Sequence, residues 1–158
     1  MCIQRRFAYV QIAHVVLVSI LLCAAGRAQQ NSSSGERGLF DAANRERRAQ
    51  SLPSLKWDDA LASAARKHAE QMAQQGSIAH QFSGEPSLPA RATQAGARFV
   101  WLAENVDQSA SAGSIHERLM KSPLHRANIV DRDMDSVGIG ITIRNGQWFA
   151  VEDFSKAK

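Results

Sequence analysis

The sequence predicts an α+β domain, with helices packed on a small antiparallel sheet that ends in a C-terminal hairpin. Three observations carry this. Segments before residue 122 repeat their apolar residues at helical spacings of three and four. The last stretch alternates with a period of two on either side of Asn145-Gly146. The strands are too few and too close together for a parallel sheet with crossover helices.

The first 28 residues have the layout of a secretory signal. Arg5 and Arg6 open it, Val15 to Ala25 is almost unbroken apolar chain, and Gly26-Arg27-Ala28 presents small residues to a signal peptidase. Cleavage is expected after Ala28. The run is short for a membrane anchor, which needs about 20 apolar residues. Leu22 before Cys23 argues against lipidation, and Arg5-Arg6 alone is little support for a twin-arginine signal. Three arginines and no acids leave with this segment, so the net charge drops from +4 to +1. The basic character of the whole chain is therefore no sign of a nucleic-acid partner. Both cysteines, Cys2 and Cys23, leave as well. The mature chain is expected to have no disulfide, no thiol chemistry and no transmembrane segment, and to be a monomer held by one core. Its expected organisation is a signal peptide over 1–28, a flexible polar lead-in over 29–37 and a single domain over 38–158.

Leu39 to Gln50 predicts a first helix, with Leu39, Phe40 and Ala43 on one face and Asn44 and Arg47 beside it. Asn44 either bonds to a neighbouring loop or faces solvent. Asp58 or Asp59 caps a second helix to Gln75, with Leu61, Ala64, Ala65, His68 and Met72 inward and Gly76 as its stop. His68 on that stripe reads as a satisfied core histidine, and Trp57 as a staple onto the same helix. Ser87 caps a short helix to Ala95. Phe99 to Leu102 predicts a short buried strand that delivers Glu104-Asn105, followed by a mobile loop from Asp107 to Gly113. Ser114 opens another helix through Met120, on which His116 faces solvent. Pro123 stops it. Val137, Ile139, Ile141 and Ile143 alternate with Gly138, Gly140, Thr142 and Arg144, and Trp148 to Phe154 returns as the partner strand. The two glycines leave room for close approach on one face.

The polar stretch Ser122 to Ile129 holds more chemistry than a connection needs. His80 and His125, both read in loops, are its strongest functional candidates together with Glu104. No HExxH, CxxC, GxSxG, phosphate loop or dinucleotide fingerprint is present. Two histidines and one carboxylate are the minimum for an open zinc site, but their spacing carries no metal motif.

Read in order, the chain contains Asn44-Arg45-Glu46-Arg47, Leu55-Lys56-Trp57-Asp58, Leu61 to Arg66, His68 to Ala73 and Ile78-Ala79-His80. Then follow Ala103-Glu104-Asn105-Val106, Ser122 to Ile129, Val137 to Gly140 and Val151-Glu152-Asp153-Phe154. This order resembles the CAP superfamily of cysteine-rich secretory proteins, antigen 5 and pathogenesis-related 1, in its small bacterial branch without disulfides. The resemblance spans residues 39–155. It implies an α–β–α sandwich whose central cavity is lined by two histidines and two glutamates. His80, Glu104 and His125 match three of these. Ser122 stands where the second glutamate is expected, so any divalent metal such as zinc, held by His80 and His125, would be bound more weakly. Asn105, Arg126 and Asn128 are expected to support the cleft, Arg126 by pairing with an acid on the first helix or in Asp131–Asp135. The resemblance implies a secreted or periplasmic module that binds a lipid or other small molecule rather than an enzyme. A metal-dependent, peptidase-like hydrolase is the second reading, and a cell-envelope interaction protein the third.

Overall fold

Helix α1 spans residues 32–49 and turns Leu39, Ala42, Ala43, Asn44 and Arg47 inward. The computed structural model describes residue 30 and residues 32–158. The expected signal peptide, with Cys2 and Cys23, lies outside them. Residues 32–37, expected to be flexible lead-in, are helical, and Glu36 is buried with its carboxylate on the Arg66 guanidinium at 2.7 Å.

The remaining elements are β1 (Lys56–Trp57), α2 (Asp59–Gln75), α3 (Leu88–Gln94), β2 (Phe99–Ser109), α4 (Ala112–Lys121), α5 (Pro123–Ile129), β3 (Ser136–Arg144) and β4 (Gln147–Ala157). The sheet order is β1-β3-β4-β2. The pairs β3–β4 and β4–β2 are antiparallel, but β1 joins β3 in parallel, so the sheet is mixed and not purely antiparallel. The short β1 escaped the sequence because two residues carry no periodicity. Among the described residues no helix is long and apolar enough to cross a membrane.

Two helical layers enclose the sheet. On one face, α2 packs Ala65, Ala69, Met72 and Ala73 against Val106, Phe149 and Val151. Asp58 accepts the Leu61 N–H at 2.9 Å to start α2, and Gly76, at φ 66°, ends it. Gly138 and Gly140 permit the close approach. A Cβ at Gly138 would lie 2.0 Å from the Ala62 nitrogen, and one at Gly140 2.2 Å from that of Arg66. On the other face, α1, α4 and α5 contribute Leu39, Ala43, Ile115, Leu119 and Ile129 to a core shared with Ile139, Ile141, Ala150 and Phe154. The hairpin closes at Asn145 and Gly146, both with positive φ (52° and 74°), as its turn type requires.

Several local expectations change. Phe99–Leu102 opens an 11-residue edge strand, and its aromatic start is exposed, with Val100 66% and Trp101 62% accessible. The helices cover only the later half of β2, where the polar residues Glu104, Asn105 and Asp107 are buried along with Val106. Asp107 to Ser109 is strand and not loop, and Ser111, boxed with Ser114, caps α4. Trp57 packs edge-on against Phe40 of α1, centroids 5.6 Å apart, while its indole N–H donates to Asp59 at 2.9 Å. His116 is largely buried, 3.6 Å from Glu46. Burial holds its pKa below the ordinary histidine value, although Glu46 opposes this.

Candidate functional site

His80 stands in the loop between α2 and α3, and its neighbours fix that loop. His68, fully buried on α2, meets an acceptor at each ring nitrogen: Glu85 Oε1 at 2.6 Å and the Ala79 carbonyl at 2.8 Å. Glu85 also accepts the Phe82 N–H at 3.0 Å. Two short-range clamps thus hold residues 79–85 in one shape. The imidazole of His80 remains outside, with 63% of its side chain exposed, and its Nδ1 donates to Glu104 Oε1 at 2.8 Å. Because a carboxylate only accepts, Nδ1 carries the proton and Nε2 presents its lone pair to solvent in the neutral ring.

Glu104 is placed by β2 and is itself buried. Its second oxygen takes a short charge-assisted hydrogen bond from Arg91 Nη2. The Arg91 Nη1 donates to the carbonyls of His80 and Pro86, each at 3.1 Å, so one guanidinium from α3 braces both the loop and the carboxylate. Directly across the ladder from Glu104 is Asp153 of β4. Asp153 is fully buried, and among the described residues no hydrogen-bond donor reaches either carboxyl oxygen. Burial pushes its pKa well above the ordinary range, the Glu104 charge adds to this, and Arg91 opposes it.

The opposite face of the same strands holds a second polar group. Asn105 is fully buried, and its Nδ2 donates to the His125 carbonyl and to Glu152 Oε2, each at 3.1 Å. Asn128 Nδ2 donates to Asn105 Oδ1 at 2.9 Å. These contacts dock α5 on the edge strand. Ser122 to Ile129, read as a loop, is therefore mostly helix, with Pro123 at its first turn, where a missing N–H costs nothing.

His80 and Glu104 are thus brought together by a direct hydrogen bond. His125 enters the network through its backbone, and among the described residues its ring has no hydrogen bond. It lines a cavity of about 330 Å³ with Asp107, Arg118, Leu119, Lys121 and Ser122, which neither His80 nor Glu104 lines. A larger cavity of about 480 Å³, walled by Arg37, Phe40, Trp57 and Arg66, includes none of the expected site residues. Arg126 is exposed and makes no side-chain hydrogen bond or ion pair among the described residues. The tie expected of it is made by Arg47 of α1, fully buried, which donates to the carbonyls of Pro53, Ile129, Asp131 and Met134 at 2.7–3.1 Å. Sequence reasoning missed Arg47, Arg91, Glu85, Glu152 and Asp153. For the last two a signal existed: consecutive acids in an otherwise apolar strand put one carboxyl on each covered face.

Glu104 is not free to join His80 and His125 as a zinc ligand in this arrangement. Both Glu104 oxygens are engaged, one by His80 Nδ1 and one by Arg91. Among the described residues no three His, Cys, Asp or Glu side chains are grouped to hold one ion.

The model of the cysteine-rich secretory protein family matches residues 40–154. No curated protein matches the sequence. Solved structures share the fold at low identity. An extracellular protein containing an SCP domain from Bacillus anthracis is 21% identical at a TM-score of 0.77, covering 83% of this chain and 43% of its own. An outer surface protein of Borrelia burgdorferi is 19% identical at 0.73, covering 79% and 94%. A cysteine-rich secretory protein of Staphylococcus aureus is 19% identical at 0.63, covering 79% and 39%. The chain therefore spans less than half the length of two of these three.

Proposed function

The chain belongs to the cysteine-rich secretory protein (CAP) family, and from that premise we propose that it is a secreted or periplasmic ligand-binding domain that receives a small molecule or lipid at the exposed His80, which the buried Glu104 orients, and at the separate cavity lined by His125. The observation that carries the reading is the state of His80. An imidazole with 63% of its side chain exposed is held by one nitrogen on a buried carboxylate, which is itself held by a buried arginine. Solvent-facing histidines rarely need such support, whereas an oriented Nε2 lone pair is a ready acceptor for a hydroxyl or amide N–H of a ligand. His125, beside Arg118 and Lys121, offers a second polar contact next to the apolar wall of Leu119. Asn105 and Asn128 act as braces, and Ser122 as a further hydroxyl. Export is supported by the signal-like residues 1–28 and agrees with the extracellular and outer-surface descriptions of the Bacillus and Borrelia proteins.

The test is native mass spectrometry and solvent extraction of the protein as exported by its host, beside His80→Ala and His125→Ala. The expected result is a co-purifying small molecule that is lost or at least tenfold depleted in both variants. Equal retention by both variants overturns the reading, as does wild-type protein that carries nothing and takes up none of a panel of hydroxylated lipids.

A further inference from the structure

Helix α5 is short, and a single pair of turns cannot hold itself in water. Its place depends on what grips it. The burial of Ile129 and the Arg47 hydrogen bond to its carbonyl grip the end of the helix, and Asn105 grips it at His125 and Asn128. The Asn105 amide works only in one orientation. With Nδ2 toward the His125 carbonyl and Oδ1 toward Asn128, every pairing is donor to acceptor. Flipped, the amide oxygen would face the His125 carbonyl and the NH₂ would face the Asn128 NH₂. The group that selects the working orientation from below is Glu152, whose Oε2 accepts the same Nδ2 at 3.1 Å.

We propose that Glu152 is a positioning residue for His125, acting through the Asn105 amide to set where α5 docks and how His125 stands in its cavity. This deepens the ligand-binding reading and rests on it for the importance of His125. The docking relation itself stands on contacts independent of any ligand.

The surroundings give Glu152 an unusual sensitivity. Its side chain is sealed, and Oε1 has no partner among the described residues. Burial pushes its pKa up to about 7, the Asn105 hydrogen bond opposes this, and the Asp107 charge adds to it. Asp107 is the acid that faces it from β2, and Arg118 of α4 engages that carboxylate at 3.0 Å. From β3 the cross-strand neighbour is apolar Ile139, and α5 contributes the His125 carbonyl. On α1, Arg47 is committed to backbone carbonyls. Both protonation states of Glu152 are therefore accessible near neutral pH. The ionised carboxylate draws Nδ2 more strongly than the neutral acid and loosens its hold on the His125 carbonyl.

The experiment is an amide NMR titration of the exported protein from about pH 5.5 to about pH 8.5, read on Leu124 to Val130. The expected wild-type result is a step in these shifts with its midpoint near 7, the range to which Glu152 is raised. His125→Asn retains the step, which separates it from titration of the histidine. Glu152→Gln abolishes it while the other resonances keep their places. Asp107→Asn moves the midpoint to lower pH, and this arm decides the matter if Glu152→Gln does not fold. A step that survives Glu152→Gln, an unmoved midpoint in Asp107→Asn, or no wild-type step overturns the proposal. Loss of ligand retention without loss of the step, or the reverse, tells the failure of one reading from the failure of the other.

Discussion

Replacing Arg91 by Met keeps the length of the side chain and removes the cation under the His80 loop. The structure sets the cost. Arg91 is 6% exposed and faces Glu104, whose side chain is 3% exposed, with Glu85 at 3.9 Å. It also supplies donors to the carbonyls of His80 and Pro86. Removing one member of a buried pair leaves the other charged and unsolvated, at a cost of about 3–5 kcal/mol. That is a large share of the roughly 5–15 kcal/mol by which a domain is stable. The two carbonyls add less, because loop carbonyls can turn to water. A second substitution separates the charge from the packing. Glu104→Gln in the Arg91→Met background removes the stranded carboxylate and recovers about 2 kcal/mol, a coupling typical of groups in one network. Urea unfolding followed by circular dichroism at neutral pH measures both steps. A single-variant cost below about 1 kcal/mol, the worth of an exposed pair, would refute the reasoning. So would a double variant whose loss is the sum of the two single losses.

Glu152→Gln is expected to change how stability depends on pH. Folding raises this acid from 4.5 to about 7, so the folded state binds more protons than the unfolded state in between, and wild-type stability falls as pH rises through that window. The full drop is about 3 kcal/mol, and urea midpoints collected across the window should show it in wild type and not in the variant. Gly138→Ala places a Cβ 2.0 Å from the Ala62 nitrogen and should cost about 3 kcal/mol or more, since helix backbone has to move. Gly113→Ala, inside α4 with its nearest neighbour at 3.9 Å, should instead stabilise by about 0.5–1 kcal/mol, and thermal melts of the pair check the contrast. Asn44→Ala removes both hydrogen bonds to Leu55, at 2.7 and 3.2 Å, and leaves a buried backbone N–H and C=O unpaired. Its loss should be about 2 kcal/mol by urea unfolding, and a loss within about 0.5 kcal/mol would mean that water takes over.

The parts of the fold that were legible in the sequence are those written in neighbouring residues. The α2 helix announced a cap at Asp58 or Asp59, its stop at Gly76 and its buried stripe through His68, and the structure has the cap at Asp58 with the other two as read. The hairpin was legible because alternation and Asn145-Gly146 are local, and Gly138 and Gly140 because a glycine on one strand face implies something close above it. The exposed start of β2 was misread for the converse reason. Phe99 to Leu102 has the composition of a buried strand, and only the arrangement of helices decides that its second half is covered instead.

The site divides in the same way. Residue type and a loop reading singled out His80 and His125, and the family resemblance added Glu104. That His80 and Glu104 touch, while His125 is held by its carbonyl and lines a cavity that neither of them lines, depends on which face of β2 each side chain leaves. A strand sends Glu104 toward α2 and α3 and Asn105 toward α5, and no spacing along the chain states which helix waits there. Arg47 and Arg91 were hidden for the same reason. An arginine in an amphipathic helix looks solvated until the carbonyls or carboxylates that satisfy it are brought in from the far side of the fold. Sequence alone determined the elements, their ends and the chemical groups available, because caps, turns and periodicity act over a few residues. The tertiary structure decided which charges are buried together, because desolvation and pairing are properties of the packed layers.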